Sequence, residues 1–179
     1  MNLPNKLTVL RVIMVPFFVF FMLWDGLGEN GKYVAAALFI LASLTDCLDG
    51  HIARKHHLIT DFGKFMDPIA DKLLVCSALI CLVEQGLLAG WIVIVIIGRE
   101  FIISGFRLVA SDKGIVIAAS YWGKFKTVFQ MVMVILLILD LGGAFEILAQ
   151  ITVWVSLILT VVSLVDYLVK NRKVLEGEM

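Results

Sequence analysis

Six stretches of mostly apolar residues recur along the chain, each near the roughly twenty residues a helix needs to cross the hydrocarbon core of a bilayer. They run from Leu7 to Trp24, from Tyr33 through Cys47 to about Arg54, from Pro68 to Val83, from Leu87 to Val109, from Val128 to Leu141 and from Ile147 to Val169. The fifth is short when counted from Val128, and its helix is expected to begin nearer Ser120 with a polar end. A chain that is 61% hydrophobic and only 17% charged carries far more apolar surface than a water-soluble domain of 179 residues needs. The expectation is an all-α integral membrane bundle of six transmembrane helices, forming a single domain over residues 1–179. A short interfacial segment, Asn2 to Lys6, is expected to precede the first helix, with Leu3 dipping into lipid.

The formal net charge is +0, but the charges are sorted. Lys6, Arg54, Lys55, Lys64, Arg107, Lys113, Lys124, Lys126, Lys170, Arg172 and Lys173 fall in alternate connections and near the two ends. The opposite connections hold Asp25, Glu29, Glu84, Asp140 and Glu146, with Lys32 as their base. The positive-inside rule then places both termini in the cytoplasm. The opening residues lack a charged region followed by a small-residue cleavage site, so no removable signal peptide is expected. Cys47, Cys76 and Cys81 are odd in number and match no metal or redox spacing, which suits buried packing residues. Nothing in the pattern suggests a nucleic-acid partner.

One polar stretch interrupts the apolar pattern, DCLDGHIARKHHLITDFGKFMDPIAD from Asp46 to Asp71. Asp46 with Asp49, and Asp67 with Asp71, are spaced three and four residues apart, so each pair occupies one helix face. Two such helices, joined around Arg54 to Gly63, can bring four carboxylates to one point. Carboxylates at a membrane are expensive, and four together repel unless a cation or shared protons neutralise them. Oxygen ligands without a cysteine or histidine set favour magnesium, manganese or calcium over zinc. Gly50 and Ala53 remove bulk where a ligand approaches the backbone, although small residues in membrane helices also serve helix packing. Gly63 permits a tight turn into the third helix. His51, His56 and His57 have no metal-ligand spacing and suit a solvated loop.

Written as D-x2-D-G-x2-A-R-x8-G-x3-D-x3-D, the stretch places Asp46, Asp49, Gly50, Ala53, Arg54, Gly63, Asp67 and Asp71 at fixed separations. This pattern resembles, at every position, the signature of the CDP-alcohol phosphotransferase family, membrane enzymes that join an alcohol to a phosphatidyl group and release CMP. The flanking stretches NLPNKLTVLR, GREFIISGFR and GKFKT are similar to those of members whose donor is CDP-diacylglycerol and whose acceptor is glycerol 3-phosphate. The resemblance implies Mg²⁺ or Mn²⁺, two ions, held by Asp46, Asp49, Asp67 and Asp71, with Asp71 also the catalytic base. It implies CDP contacts from Asp46, Asp49, Gly50 and Ala53, a homodimer, and a bacterial inner membrane with the active site on the cytoplasmic side.

Around that core, Asn5, Thr8 and Arg11 are further candidates for CDP binding. Arg11 lies inside the first apolar run, where it either snorkels to water or faces an anionic ligand. A dianionic acceptor phosphate calls for fixed cations, and Arg107, Lys124 and Lys126 are the candidates; acidic lipid headgroups would attract the same residues. Arg99 sits with Glu100 deep in an apolar run and is expected to pair there or to face a substrate cavity. Arg54 is a candidate to bridge Asp61 or to meet phosphate. Within the same family the acceptor could instead be serine, inositol phosphate or phosphatidylglycerol. From another class, a cation or proton transporter would spread polar residues across the bilayer, whereas here the outer parts of the helices are almost wholly apolar.

Overall fold

The computed structural model describes residues 2–55, 61–112, 114, 117 and 120–172; for residues 3, 4, 25, 46–55, 61, 62, 64 and 65 it describes the backbone alone. Among these the chain is all-α, with six long helices: α1 (Leu3–Leu23), α2 (Glu29–Lys55), α3 (Asp61–Glu84), α4 (Gly90–Asp112), α5 (Tyr121–Leu139) and α6 (Ala144–Lys170). A single 3₁₀ turn, Asp25–Leu27, links α1 to α2. The chain divides into two compact units, Met1–Leu88 with Leu137–Leu139, and Ala89–Leu136 with Asp140–Met179.

In the first unit α1 packs against both α2 and α3. Its buried stripe, Asn5, Thr8, Arg11, Val15, Phe18 and Met22, advances three or four residues at a time, one face of a helix. The stripe is polar in its first half and apolar in its second. Ala35, Ala36, Phe39 and Ala42 of α2 are buried, as are Ala70, Leu74, Ala78 and Leu82 of α3. The alanines let the backbones approach, a packing solution suited to helices that gain little from apolar burial in lipid. Phe18 and Phe39 meet with ring centroids 5.9 Å apart.

The contacts fix helix directions within this unit. Thr8 meets Asp67 near the starts of α1 and α3. At their far ends Gln85 Nε2 donates to the Met22 carbonyl at 2.5 Å. The two helices are therefore parallel. α2 runs against them: Arg11 reaches Ala42 late in α2, and a Cβ on Gly31, early in α2, would lie 3.0 Å from the Phe21 carbonyl oxygen. That close approach is why glycine occupies position 31.

In the second unit α4 packs along α6. The buried positions of α4, Ile92, Val93, Ile96, Arg99, Ile103, Phe106 and Ala110, face a stripe of small and hydroxylic residues, Ala149, Thr152, Val153, Ser156, Thr160 and Ser163, that ends at Tyr167. Trp91 lies against Trp154, Arg99 against Ser163 and Phe106 against Tyr167, so these helices are also parallel. A cluster of Ile103, Phe106, Ala110 and Tyr167 closes one end of the pair.

Several boundaries differ from those expected. Leu3 to Lys6 are the first turn of α1, not a separate interfacial segment; Pro4 is tolerated there because the first N–H groups of a helix have no intrahelical acceptor. α3 starts at Asp61, not Pro68, so Gly63 is a buried position within the helix and Pro68 an exposed one. A proline marks a helix start only weakly, since a membrane helix tolerates one within its length. α5 begins at Tyr121, with Ser120 as N-cap accepting from the Gly123 N–H at 3.2 Å, as its polar end implied.

Among the described residues three helices are long and apolar enough to cross a membrane: Asn5–Leu23 of α1, Tyr121–Leu139 of α5 and Ala144–Lys170 of α6. α4 instead carries Arg99, Glu100 and Arg107 within its span. α2 and α3 carry the charged signature in the halves that adjoin residues 56–60.

Candidate active site

The polar end of the first unit gathers residues from three helices. Asp67 and Asp71 stand one turn apart on α3, both half-buried, in register with the buried Leu74, Ala78 and Leu82. α1 supplies the neighbouring face. Thr8 is fully buried, and its hydroxyl donates to Asp67 Oδ1 at 2.6 Å. Asn5, one turn earlier on the same face, is also buried.

Arg11 is the largest fully buried side chain at this end. Its Nε donates to the Ala42 carbonyl at 3.3 Å, and Thr45 Oγ1 donates to the same oxygen at 2.7 Å. Of the two readings of Arg11, snorkelling is overturned: the guanidinium turns inward among α1 and α2. The parallel run of α1 and α3 explains why, since it places the start of α1 beside the start of α3 and the end of α2.

Asp46, Asp49, Gly50, Ala53 and Arg54 lie on the last turns of α2, just beyond Ala42. Their side chains, and those of Cys47, His51 and Asp61, are outside the described residues, as are His56 and His57 altogether. The expected Arg54–Asp61 bridge lies outside them too. Cys76, half-buried, and Cys81, buried, lie within α3.

The cationic candidates belong to the second unit. Arg99 pairs with Glu100 at 2.9 Å and donates from Nε to Ser163 Oγ at 3.1 Å. Lys126 is 2% exposed and gives its ammonium to the same Glu100 carboxylate. Two cations thus share one carboxylate inside this unit. Arg107 is exposed, with its guanidinium over the Tyr167 ring at 5.8 Å. Lys124 is exposed, its ammonium 5.4 Å from the centroid of Tyr121.

Two relationships escaped the sequence reading. Glu100 holds Lys126 as well as Arg99; the signal was there, since a lone carboxylate deep in an apolar run needs cationic partners and α5 opens with two lysines. The hydroxylic stripe of α6, Thr152, Ser156, Thr160 and Ser163, was visible as a spacing of three and four, yet nothing in the sequence tied it to Arg99. Among the described residues no group of three or more acidic, histidine or cysteine side chains converges on a point. Of the four signature aspartates that description reaches the side chains of Asp67 and Asp71 alone.

Comparison with known proteins gives this geometry a context. Residues 1–162 match the family model described as CDP-alcohol phosphatidyltransferase. A protein of Bacillus subtilis named CDP-diacylglycerol–glycerol-3-phosphate 3-phosphatidyltransferase is 46% identical, the alignment covering 98% of this chain and 97% of the relative. A protein of the same name from Haemophilus influenzae is 40% identical over 93% of this chain and 91% of its own. A Mycobacterium tuberculosis protein named probable phosphatidylglycerophosphate synthase is 40% identical over 98% of this chain and 84% of the relative. With a family model spanning most of its length and relatives this similar end to end, the chain belongs to the CDP-alcohol phosphatidyltransferase family.

Proposed function

We propose that this chain transfers the phosphatidyl group of CDP-diacylglycerol to glycerol 3-phosphate, forming phosphatidylglycerophosphate and CMP. The observation that carries the reading is the polar end of the first unit. Thr8 of α1 grips Asp67, one turn from Asp71, while a fully buried Arg11 sits one turn from the end of α2 that bears Asp46 and Asp49. The names of relatives that align over nearly their whole length supply the acceptor.

The donor set fits a hard divalent cation. It offers carboxylate oxygens alone, one of them already oriented by a hydroxyl, beside a stripe of α1 that is polar only at this end. Asp46, Asp49, Asp67 and Asp71 are the residues that would hold it. When bound, Mg²⁺ or Mn²⁺, as two ions, supplies positive charge to the pyrophosphate and to the developing charge on the leaving group. Gly50 and Ala53 leave room for the CDP moiety, with Asn5 and Arg11 nearby as contacts.

Asp71 is the base. It takes the proton of the glycerol 3-phosphate primary hydroxyl as that oxygen bonds to the lipid-bearing phosphorus. The bond from this phosphorus to the bridging oxygen breaks, and CMP leaves with the electron pair. Arg107 and Lys124, both exposed, are the candidates to meet the acceptor phosphate, whereas Lys126 is buried on the Glu100 carboxylate, which argues against that role for it. All six helices cross a bacterial inner membrane as one functional domain, the termini and the aspartates at the cytoplasmic face, and the enzyme works as a homodimer.

The test is CMP release by purified protein from CDP-diacylglycerol, with glycerol 3-phosphate, serine, inositol phosphate or phosphatidylglycerol supplied separately. Release with glycerol 3-phosphate alone, dependent on Mg²⁺ and lost in Asp71→Asn, supports the reading. Release with another acceptor keeps the mechanism and reassigns Arg107 and Lys124. No release with any acceptor from folded protein rejects the enzyme reading.

A further inference from the structure

We infer that Thr8 is a positioning residue for the cation site, orienting Asp67 through its hydroxyl rather than serving as a contact for the nucleotide. The inference rests on the proposed reading of Asp67 as a cation ligand. A hydroxyl in the middle of a helix normally returns its proton to a carbonyl three or four residues earlier. Thr45, Thr127, Thr152 and Thr160 of this chain all do so. The Thr8 hydroxyl also reaches across to another helix, donating to Asp67 Oδ1 at 2.6 Å, and is fully buried. The distance is that of a charge-assisted O–H···O⁻ bond.

The consequence is geometric. With Oδ1 engaged by α1, rotation of the Asp67 carboxylate is restrained, and its other oxygen, Oδ2, is the one assigned to the cation. Asp67 is itself half-buried, so it retains a route to the site. Carboxylates that bind metals are commonly oriented by such outer hydrogen bonds. α1 thereby couples to the site without donating a ligand. The coupling also explains why a helix with an apolar second half keeps a fully buried threonine in its first.

The experiment uses the full chain, purified in detergent, and measures Mn²⁺ binding by the paramagnetic resonance of free Mn²⁺ with no nucleotide or lipid substrate present. Thr8→Val and Thr8→Ala are compared with Thr8→Ser, and thermal unfolding confirms that each is folded. Loss of the hydroxyl is expected to weaken Mn²⁺ binding by about 10- to 100-fold, with Thr8→Ser close to the parent. At saturating Mn²⁺ the KM for CDP-diacylglycerol is expected to stay unchanged, while the Mn²⁺ concentration for half-maximal activity shifts with the affinity. The inference is overturned if Thr8→Val and Thr8→Ala bind Mn²⁺ as the parent does. It is overturned equally if KM for CDP-diacylglycerol rises while Mn²⁺ affinity holds, for then Thr8 touches the nucleotide. A parent protein that binds no Mn²⁺ rejects the cation reading itself, and Thr8's role with it.

Discussion

Lys126 of α5 and Arg99 of α4 converge on a single carboxylate, that of Glu100. Lys126 is almost wholly buried and the Glu100 side chain 24% exposed, so the cluster is shielded from water. Removing one partner of a buried pair leaves an uncompensated charge, which costs about 3–5 kcal/mol. Glu100→Ala, which removes the carboxylate that both cations share, should lower the unfolding midpoint more than Lys126→Met, which leaves Arg99 on the carboxylate. A double-mutant cycle on thermal stability checks the coupling; equal effects of the two single changes would show that Glu100 does not hold both.

The hydroxyls facing α4 from α6 should differ in sign. Ser163 Oγ accepts from Arg99 Nε, and hydrogen bonds to charged groups contribute about 1.5–3 kcal/mol. Ser163→Ala should destabilise by an amount of that order. Ser156 is fully buried, and its Oγ has no hydrogen-bond partner among the described residues. Ser156→Ala removes that stranded polar atom and should be neutral or slightly stabilising. Chemical or thermal unfolding in detergent compares the two, and a loss at Ser156 as large as at Ser163 would reveal a partner for its hydroxyl.

The all-helical architecture was legible because six apolar runs leave little else to build, and the start of α5 because Ser120 is an N-cap type before a polar first turn. The start of α3 was not, since hydropathy stops at the charged Asp61–Met66 stretch while helical hydrogen bonding does not. That Asp67 and Asp71 stand one turn apart on a helix was legible from their spacing alone. Which neighbours they have was not: Thr8 and Asp67 are 59 residues apart, and only the parallel run of α1 and α3 joins them. Arg11 was ambiguous for a related reason. A cation in an apolar run reads the same whether it snorkels or turns inward until the facing helix is known.

Arg11 should tolerate no replacement by another cation. Its Nε bond to the Ala42 carbonyl uses the guanidinium's fixed geometry, which a lysine ammonium does not reproduce. Arg11→Lys keeps the charge and loses that bond. Loss of the bond should destabilise the fold by about 1.5–3 kcal/mol and, by displacing the cation from its place, lower kcat/KM. Steady-state CMP release measures it, and activity within about twofold of the parent would reduce Arg11 to a source of charge alone.

Asp67 and Asp71 should fail in different ways, because one is read as a ligand oriented by Thr8 and the other as ligand and base together. Asp67→Asn exchanges one carboxylate oxygen for an amide N–H₂, and the amide still accepts from Thr8 through its remaining oxygen. That orientation turns the N–H₂ toward the cation, so affinity for Mn²⁺ should fall sharply and excess Mn²⁺ should restore part of the activity. Asp71→Asn also removes a proton acceptor, whose contribution is typically about 10²–10⁴-fold. Excess Mn²⁺ should therefore leave Asp71→Asn inactive even where binding is regained. Titrating Mn²⁺ against CMP release in both variants separates the roles. Equal rescue would assign the base to another residue, and rescue of neither would make Asp67 more than a ligand.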